Sequence, residues 1–256
     1  MKEEIQATLS LIEETKKVKI LYACEAGSRA WDLASDTSDY DVRFIYIHQP
    51  EYYLSIDPVG IGKKRDVFEK PIGNSLDLSG WDLTKTLRLF RKSNPSLLEW
   101  LHSDIIYSQP NHAISDMEKM LPDVFNQKAC ILHYINVART NLRKNHKDIK
   151  ILINILRPVL AAEWIRQHNS FPPVNFKILI DTLVPEGELF QDISQLVAYK
   201  KTGNKAAPFD STKISEFASE RLEQLDTYAK TLQPLTTDPT DELNQLFRVT
   251  LHESWS

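Results

Sequence analysis

Two short motifs in this chain have the residue types and the spacing to do chemistry. One is Gly27-Ser28 followed by Arg29; the other is Asp39-Tyr40-Asp41, with Arg43 two residues on. In a strand, residues i and i+2 share a face, so Asp39 and Asp41 project together while Tyr40 points away. Two adjacent carboxylates repel unless a cation sits between them. Mg²⁺ or Mn²⁺ suits such a pair, because these hard ions take oxygen ligands and share them with substrate phosphates. The Gly-Ser turn supplies the phosphate side. Gly27 lets the backbone approach a ligand closely. Ser28 offers a hydroxyl, and the segment from Arg29 can open a helix whose free N–H groups face an anion. Arg29 adds a planar fork that matches phosphate oxygens. Arg43 falls on the strand face of Asp41, where a phosphate role and a salt bridge to an aspartate are equally open.

Each motif by itself is more often structural: an Asp-x-Asp is common, and a Gly-Ser pair is a turn. An EF-hand loop starting at Asp36 is excluded. Asp41 stands where that loop needs glycine, and Ile47 where it needs the bidentate Glu.

The elements that must position these residues are legible on both sides of them. Ile5, Leu9 and Ile12 predict a helix over residues 3–16. Apolar strands follow over 18–23 and about 39–48, with the Gly-Ser turn between them. Residues 66–69 and 75–78 read as a strand pair around the Pro71-Ile72-Gly73-Asn74 turn. Ser79-Gly80-Trp81-Asp82 has the look of a capping box opening a helix with Leu83, Leu87 and Phe90 on one face. Asn94-Pro95 caps the next helix. Beyond about Asn111 helical periods take over, near 111–120, 123–145, 147–168, 176–184, 188–202, 210–233 and 239–253. Breaks are expected at Pro122, Pro172-Pro173, Pro185, Gly203 to Pro208 and Pro234, with Asp238-Pro239 capping the last helix.

At this point the chain resembles the DNA polymerase β nucleotidyltransferase superfamily, through Gly27-Ser28 and Asp39-x-Asp41. The longer strings Gly-Ser-Arg-Ala-Trp and Ser38-Asp39-Tyr40-Asp41-Val42-Arg43-Phe44-Ile45-Tyr46 are narrower. They are similar to the YcgL-like predicted nucleotidyltransferases, the RNA-ligase-associated polymerase β-like proteins of RNA repair. Residues 77–83, 93–101 and Leu156-Arg157-Pro158 through Pro172-Pro173 extend the likeness across most of residues 18–175. Two positions depart from the pattern: Asp32 follows Trp31 in place of glycine, and Ile151 replaces one of two lysines.

The resemblance implies an α+β fold: a polymerase β-like nucleotidyltransferase domain over 1–108, a mixed sheet with helices, then an all-α helical domain over 109–256. It implies transfer of an NMP from an NTP to a hydroxyl acceptor with release of pyrophosphate, with ATP among the nucleotides and RNA 3′-end repair as the setting. It also implies a third carboxylate on a neighbouring strand. Asp77 is the first choice, with Asp66 and Glu69 as rivals, so Asp39, Asp41 and Asp77 are the expected catalytic and metal-binding set. Gly27, Ser28, Arg29 and Arg43 are the expected nucleotide-binding set. Rival readings are a polymerase β-like antitoxin that AMPylates a partner protein, a HEPN-type RNase built on Arg139 and His146, and a non-catalytic binding module.

Composition bounds the partners. The formal net charge of −4 argues against coating nucleic acid by bulk electrostatics. A local groove remains open at Arg139, Arg143, Lys144, His146, Lys147 and Lys150, against the plainer reading of a solvated helix face. Trp81, Trp100 and Trp164 read as core, with base stacking as the alternative. Two cysteines make neither a disulfide framework nor a zinc site and fit a reducing cytoplasm. The most apolar run, Ile151 to Ile165, contains Arg157 and Pro158 and is too short to span a bilayer, so no membrane partner is expected.

Overall fold

Ile5, Leu9 and Ile12 are all buried along one face of α1 (Lys2–Lys16), as their spacing predicts. The computed structural model describes residues 1–56, 67–72, 75–144, 148–206, 211–233, 235 and 237–256. In chain order α1 is followed by β1 (Val18–Glu25), α2 (Gly27–Ala30), β2 (Tyr40–His48), α3 (Pro50–Tyr53), β3 (Val67–Ile72) and β4 (Leu76–Asp82). Next come α4 (Leu83–Phe90), α5 (Pro95–Leu101), β5 (Ile106–Ser108) and α6 (Ala113–Val124). The remainder is helical: α7 (Gln127–Leu142), α8 (Ile149–His168), α9 (Phe176–Leu183), α10 (Glu188–Lys201), α11 (Thr212–Thr231) and α12 (Thr240–Trp255). A mixed sheet with helices followed by a largely helical region is the α+β class expected from the sequence.

The chain packs as two compact units, each built from separated stretches. Unit 1 comprises Met1–Gly27, Asp39–Val124 and Thr237–Ser256; unit 2 comprises Ser28–Ser38 and Phe125–Thr236. Unit 1 holds a five-stranded sheet in the order β3-β4-β2-β1-β5. β2 runs antiparallel to β1 and parallel to β4, and β3 and β4 form an antiparallel pair.

One sheet face packs against α1 through Ile20, Ala23, Val42, Phe44, Tyr46, Leu76 and Leu78. Val42, Phe44 and Tyr46 alternate along β2, and Leu76 and Leu78 along β4, so Asp41, Arg43 and Asp77 fall on the opposite face. Gly80 stands opposite Phe44 in the register, and a Cβ there would meet the Phe44 ring at 2.3 Å. Only glycine leaves room for that ring.

Several local expectations shift. β4 runs through Asp82, so Ser79, Gly80 and Trp81 are strand residues. Asp82 alone caps α4, accepting the Thr84 N–H at 2.8 Å. Pro122 does not break a helix; it lies within α6, near the end where the helix stops at Val124. A proline there removes one backbone donor in the final turn, a smaller penalty than mid-helix. α12 starts at Thr240, one residue past Pro239, with the Thr240 N–H bonded to the Asp238 carboxylate. The short edge strand β5 was not expected. Trp81 and Trp100 stack at 3.8 Å, with Trp100 buried.

Unit 2 is a helical bundle centred on α8, whose residues from Ile149 to Ile165 are mostly buried. Asp148 caps α8 and Asn126 caps α7. Among the described residues no helix is long and apolar enough to cross a membrane. Cys24 and Cys130 are buried free thiols, and burial pushes each up to about 12.

Candidate active site

The sheet brings Asp41 and Asp77 side by side. They are register partners on the parallel strands β2 and β4. Arg43 lies across them: its Nη2 is 3.1 Å from Asp41 Oδ1 and 2.9 Å from Asp77 Oδ2. Its Nη1 also donates to the Val42 carbonyl at 3.2 Å. One guanidinium thus neutralises two carboxylates that would otherwise repel. The salt bridge considered for Arg43 is present, and to both aspartates. Asp41 and Asp77 stay open to solvent, with side-chain exposures of 30% and 49%.

Asp39 is exposed and lies one residue ahead of β2. Of the rivals to Asp77, Glu69 is exposed on β3 opposite Ser79, two residues along β4 from the Asp41–Asp77 row. Asp66 lies outside the described residues, as does the basic triplet Lys63-Lys64-Arg65.

Gly27 has φ +60, and a Cβ on it would come within 2.2 Å of Asp41 Oδ2. The glycine therefore serves both the turn and the seat of the Asp41 carboxylate. Sequence reasoning missed the residue two before it. Glu25 is fully buried and accepts the Asp41 N–H at 2.8 Å. A lone Glu closing an apolar strand carries no signal until its partners are known.

The segment holding Ser28 and Arg29 belongs to unit 2 and is tied down within it. Arg29 donates to the Ser38 carbonyl at 2.7 Å, and the Leu33 N–H donates to the Ser28 carbonyl at 2.7 Å. The Trp31 ring lies 4.3 Å from the guanidinium of the buried Arg157, and the Trp31 carbonyl accepts the Phe176 N–H at 3.0 Å. Asp32, the departure from the family pattern, has φ 59 and pairs with Lys201 at 3.0 Å. That backbone conformation is one glycine adopts freely and aspartate tolerates, which explains how the substitution is accommodated.

The basic stretch is only partly available. Arg139 is paired with Asp226 at 3.3 Å, and Lys144 donates to the Asn141 side chain. His146 and Lys147 lie outside the described residues, so the Arg139–His146 pairing of an RNase does too. Burial, and then the charge of Lys150, hold the Lys200 ammonium below the usual lysine range.

Among the described residues no three His, Cys, Asp or Glu side chains are grouped as metal ligands. The donor chemistry nevertheless fits a hard divalent ion. Asp41 and Asp77 offer oxygen only, stand in register, and already share one positive charge.

Residues 1–249 match the RlaP family, described as the RNA repair pathway DNA polymerase beta family. The protein belongs to that family. The chain is also 43% identical over 262 residues to the uncharacterized protein YcgL of Bacillus subtilis (strain 168), covering 100% of this chain and 98% of that one. Both matches bear out the resemblance carried by the Gly-Ser and Asp-Tyr-Asp motifs. A nucleotidyltransferase-like protein from Exiguobacterium sibiricum 255-15, solved at 1.90 Å, aligns over 98% of this chain and 92% of its own at 13% identity. Its TM-score of 0.32 is too low to bear on the fold. As an RlaP-family member the protein is a polymerase β-family nucleotidyltransferase linked to an RNA repair pathway.

Proposed function

We propose that the protein transfers an NMP from an NTP, ATP among them, to a hydroxyl acceptor and releases pyrophosphate, with an RNA 3′ end as the acceptor. The observation that carries this reading is the Asp41–Asp77 pair, set in register beside the glycine of a Gly-Ser turn. In this reading residues 1–108 form the nucleotidyltransferase domain and residues 109–256 a helical domain. The reaction belongs to a reducing cytoplasm, in keeping with two buried free thiols.

Asp39, Asp41 and Asp77 would hold Mg²⁺ or Mn²⁺. The ions supply charge neutralisation at the triphosphate and at the attacking and leaving oxygens. Gly27 admits the phosphates to the backbone, and the Ser28 hydroxyl and Arg29 bind their oxygens. Arg43 gives up its pairing with the aspartates and turns its guanidinium to the developing pyrophosphate. The acceptor oxygen bonds to the α-phosphorus as the bond to the β-phosphate bridge breaks. The hydroxyl proton passes to Asp77, the more exposed carboxylate of the pair. The protein's part is mainly positioning and electrostatics. Among the described residues of the basic stretch, Arg143 and Lys150 would meet acceptor phosphates.

The test is incubation with each α-labelled NTP, Mg²⁺ or Mn²⁺, and RNA, DNA or protein acceptors, repeated with Asp41→Ala. Label on RNA that disappears in the variant supports the reading. Label that survives the substitution overturns the site, and label on a protein acceptor replaces RNA repair with modification of a partner protein.

A further inference from the structure

Glu25 is a carboxylate without exposed surface at the end of β1. Such a group is costly to bury unless its oxygens are bonded. Both are. Oε1 accepts the Asp41 N–H at 2.8 Å, and Oε2 accepts the Tyr107 hydroxyl at 2.5 Å. Its backbone is held as firmly: the N–H donates to the Ile105 carbonyl at 2.9 Å, and the carbonyl accepts the Ser103 hydroxyl at 2.7 Å.

The register explains why a side chain is needed there. The β1–β2 ladder ends at Glu25 opposite Val42, so Asp41 lies one residue past the last pair. Three consecutive residues then grip Asp41 beyond the ladder. Glu25 takes its N–H, Ala26 donates to its carbonyl at 2.9 Å, and Gly27 backs its carboxylate.

We propose that Glu25 is a positioning residue for nucleotidyl transfer: braced by Tyr107 and Ser103, its buried carboxylate sets the backbone of Asp41 and so aims the Asp41 carboxylate. This rests on the reading of Asp41 as a metal- and substrate-facing group. A displacement of about 1 Å at such a group is enough to cost roughly 10²-fold in rate.

The experiment compares Glu25→Ala, Glu25→Gln and Tyr107→Phe in the full chain. It reads kcat and KM for the labelled NTP, Mn²⁺ affinity by electron paramagnetic resonance, and Tm. Glu25→Ala is expected to lower kcat about 100-fold with KM for the NTP within about threefold, and to weaken Mn²⁺ binding about tenfold. Glu25→Gln keeps an oxygen for the Asp41 N–H and is expected to recover kcat to within about fivefold of the parent. Tyr107→Phe leaves the carboxylate in place but unbraced on one side, for a loss of about tenfold. A merely structural Glu25 would lower Tm without the kcat and Mn²⁺ losses. Glu25→Ala with kcat and Mn²⁺ affinity near the parent, or Gln no better than Ala, overturns the inference. If Glu25→Ala does not fold, an unchanged kcat in Tyr107→Phe overturns it. Asp41→Asn run alongside separates the two layers. Transfer that survives Asp41→Asn removes the proposed site, whereas an inactive Asp41→Asn beside fully active Glu25 variants removes only the role of Glu25.

Discussion

Asp77 is held through backbone pairing, and Asp41 through backbone pairing backed by the buried Glu25, whereas Trp31 and Asp32 are held largely through side chains. In unit 1 the parallel register of β2 and β4 sets which residues stand together. A slip of one residue would turn every side chain to the other face, and the packed face under α1 forbids it. In unit 2 the 28–38 segment has no strand pairing. It depends on the Trp31–Arg157 stack, the Asp32–Lys201 ion pair and the Phe176 N–H. The β2–β4 ladder survives loss of an aspartate side chain, and a side-chain tether does not survive its own loss. Substitutions at the aspartates should therefore remove chemistry and leave the fold, while substitutions at the tethers should loosen nucleotide binding and cost stability.

The largest effect expected is at Asp77. Asp77→Asn should lower kcat by about 10³-fold with Tm nearly unchanged, read by labelled transfer and thermal melts. A large fall in Tm instead would erase the contrast, because the sheet would then depend on that side chain. Gly27→Ala comes next. Its Cβ would press on Asp41 Oδ2 and its φ of +60 is unfavourable, so about 10²-fold in kcat and about 1 kcal/mol of stability should go. Trp31→Ala should act oppositely, raising KM for the NTP about tenfold with a smaller change in kcat, and costing about 2 kcal/mol in denaturant melts. A kcat loss as large as that of Asp77→Asn would mean the two segments are positioned by the same means.

The thiols sharpen the comparison, since Cys24 lies on β1 and Cys130 on α7. Burial raises both from 9.0 to about 12. Their contribution is intact below about pH 9 and is lost as pH rises toward 12, because the unfolded chain releases protons the folded chain keeps. The loss is about 1.4 kcal/mol per pH unit per thiol in that window. Alkylation of the native protein followed by peptide mapping should find Cys130 reacting before Cys24 if the bundle opens more readily than the sheet. The smallest effect belongs to Lys201→Ala. Its partner and it are 52% and 40% exposed, so the loss should stay under about 1 kcal/mol and shrink with added salt.

The elements carried by local patterns were legible. α1, β1, β2, α4 and α5 each had periodicity or a cap that one stretch of chain contains; Asn94 acts as the expected cap, whereas α4 is capped by Asp82 and not by Ser79. The three-residue β5 had too few positions to show alternation, yet its neighbourhood braces Glu25 through Ser103 and Tyr107. The last helix packs in the unit that contains the sheet, a partnership its own amphipathic pattern does not name. At the candidate site, residue types and spacing pointed to Gly27, Ser28, Arg29, Asp39, Asp41 and Arg43, and the family resemblance added Asp77. They did not point to Glu25, or to Arg157 beneath Trp31, because those roles rest on contacts between residues distant in the chain.

By itself the sequence determined the chemistry on offer and the strand face that Asp41, Arg43 and Asp77 occupy, because side-chain type and a period of two are local properties. Tertiary structure decided which carboxylate stands beside Asp41, that Arg43 spans the pair, and that a buried glutamate holds the Asp41 backbone. Strand register and long-range hydrogen bonds are set by the simultaneous packing of many segments, and no single stretch of chain encodes them.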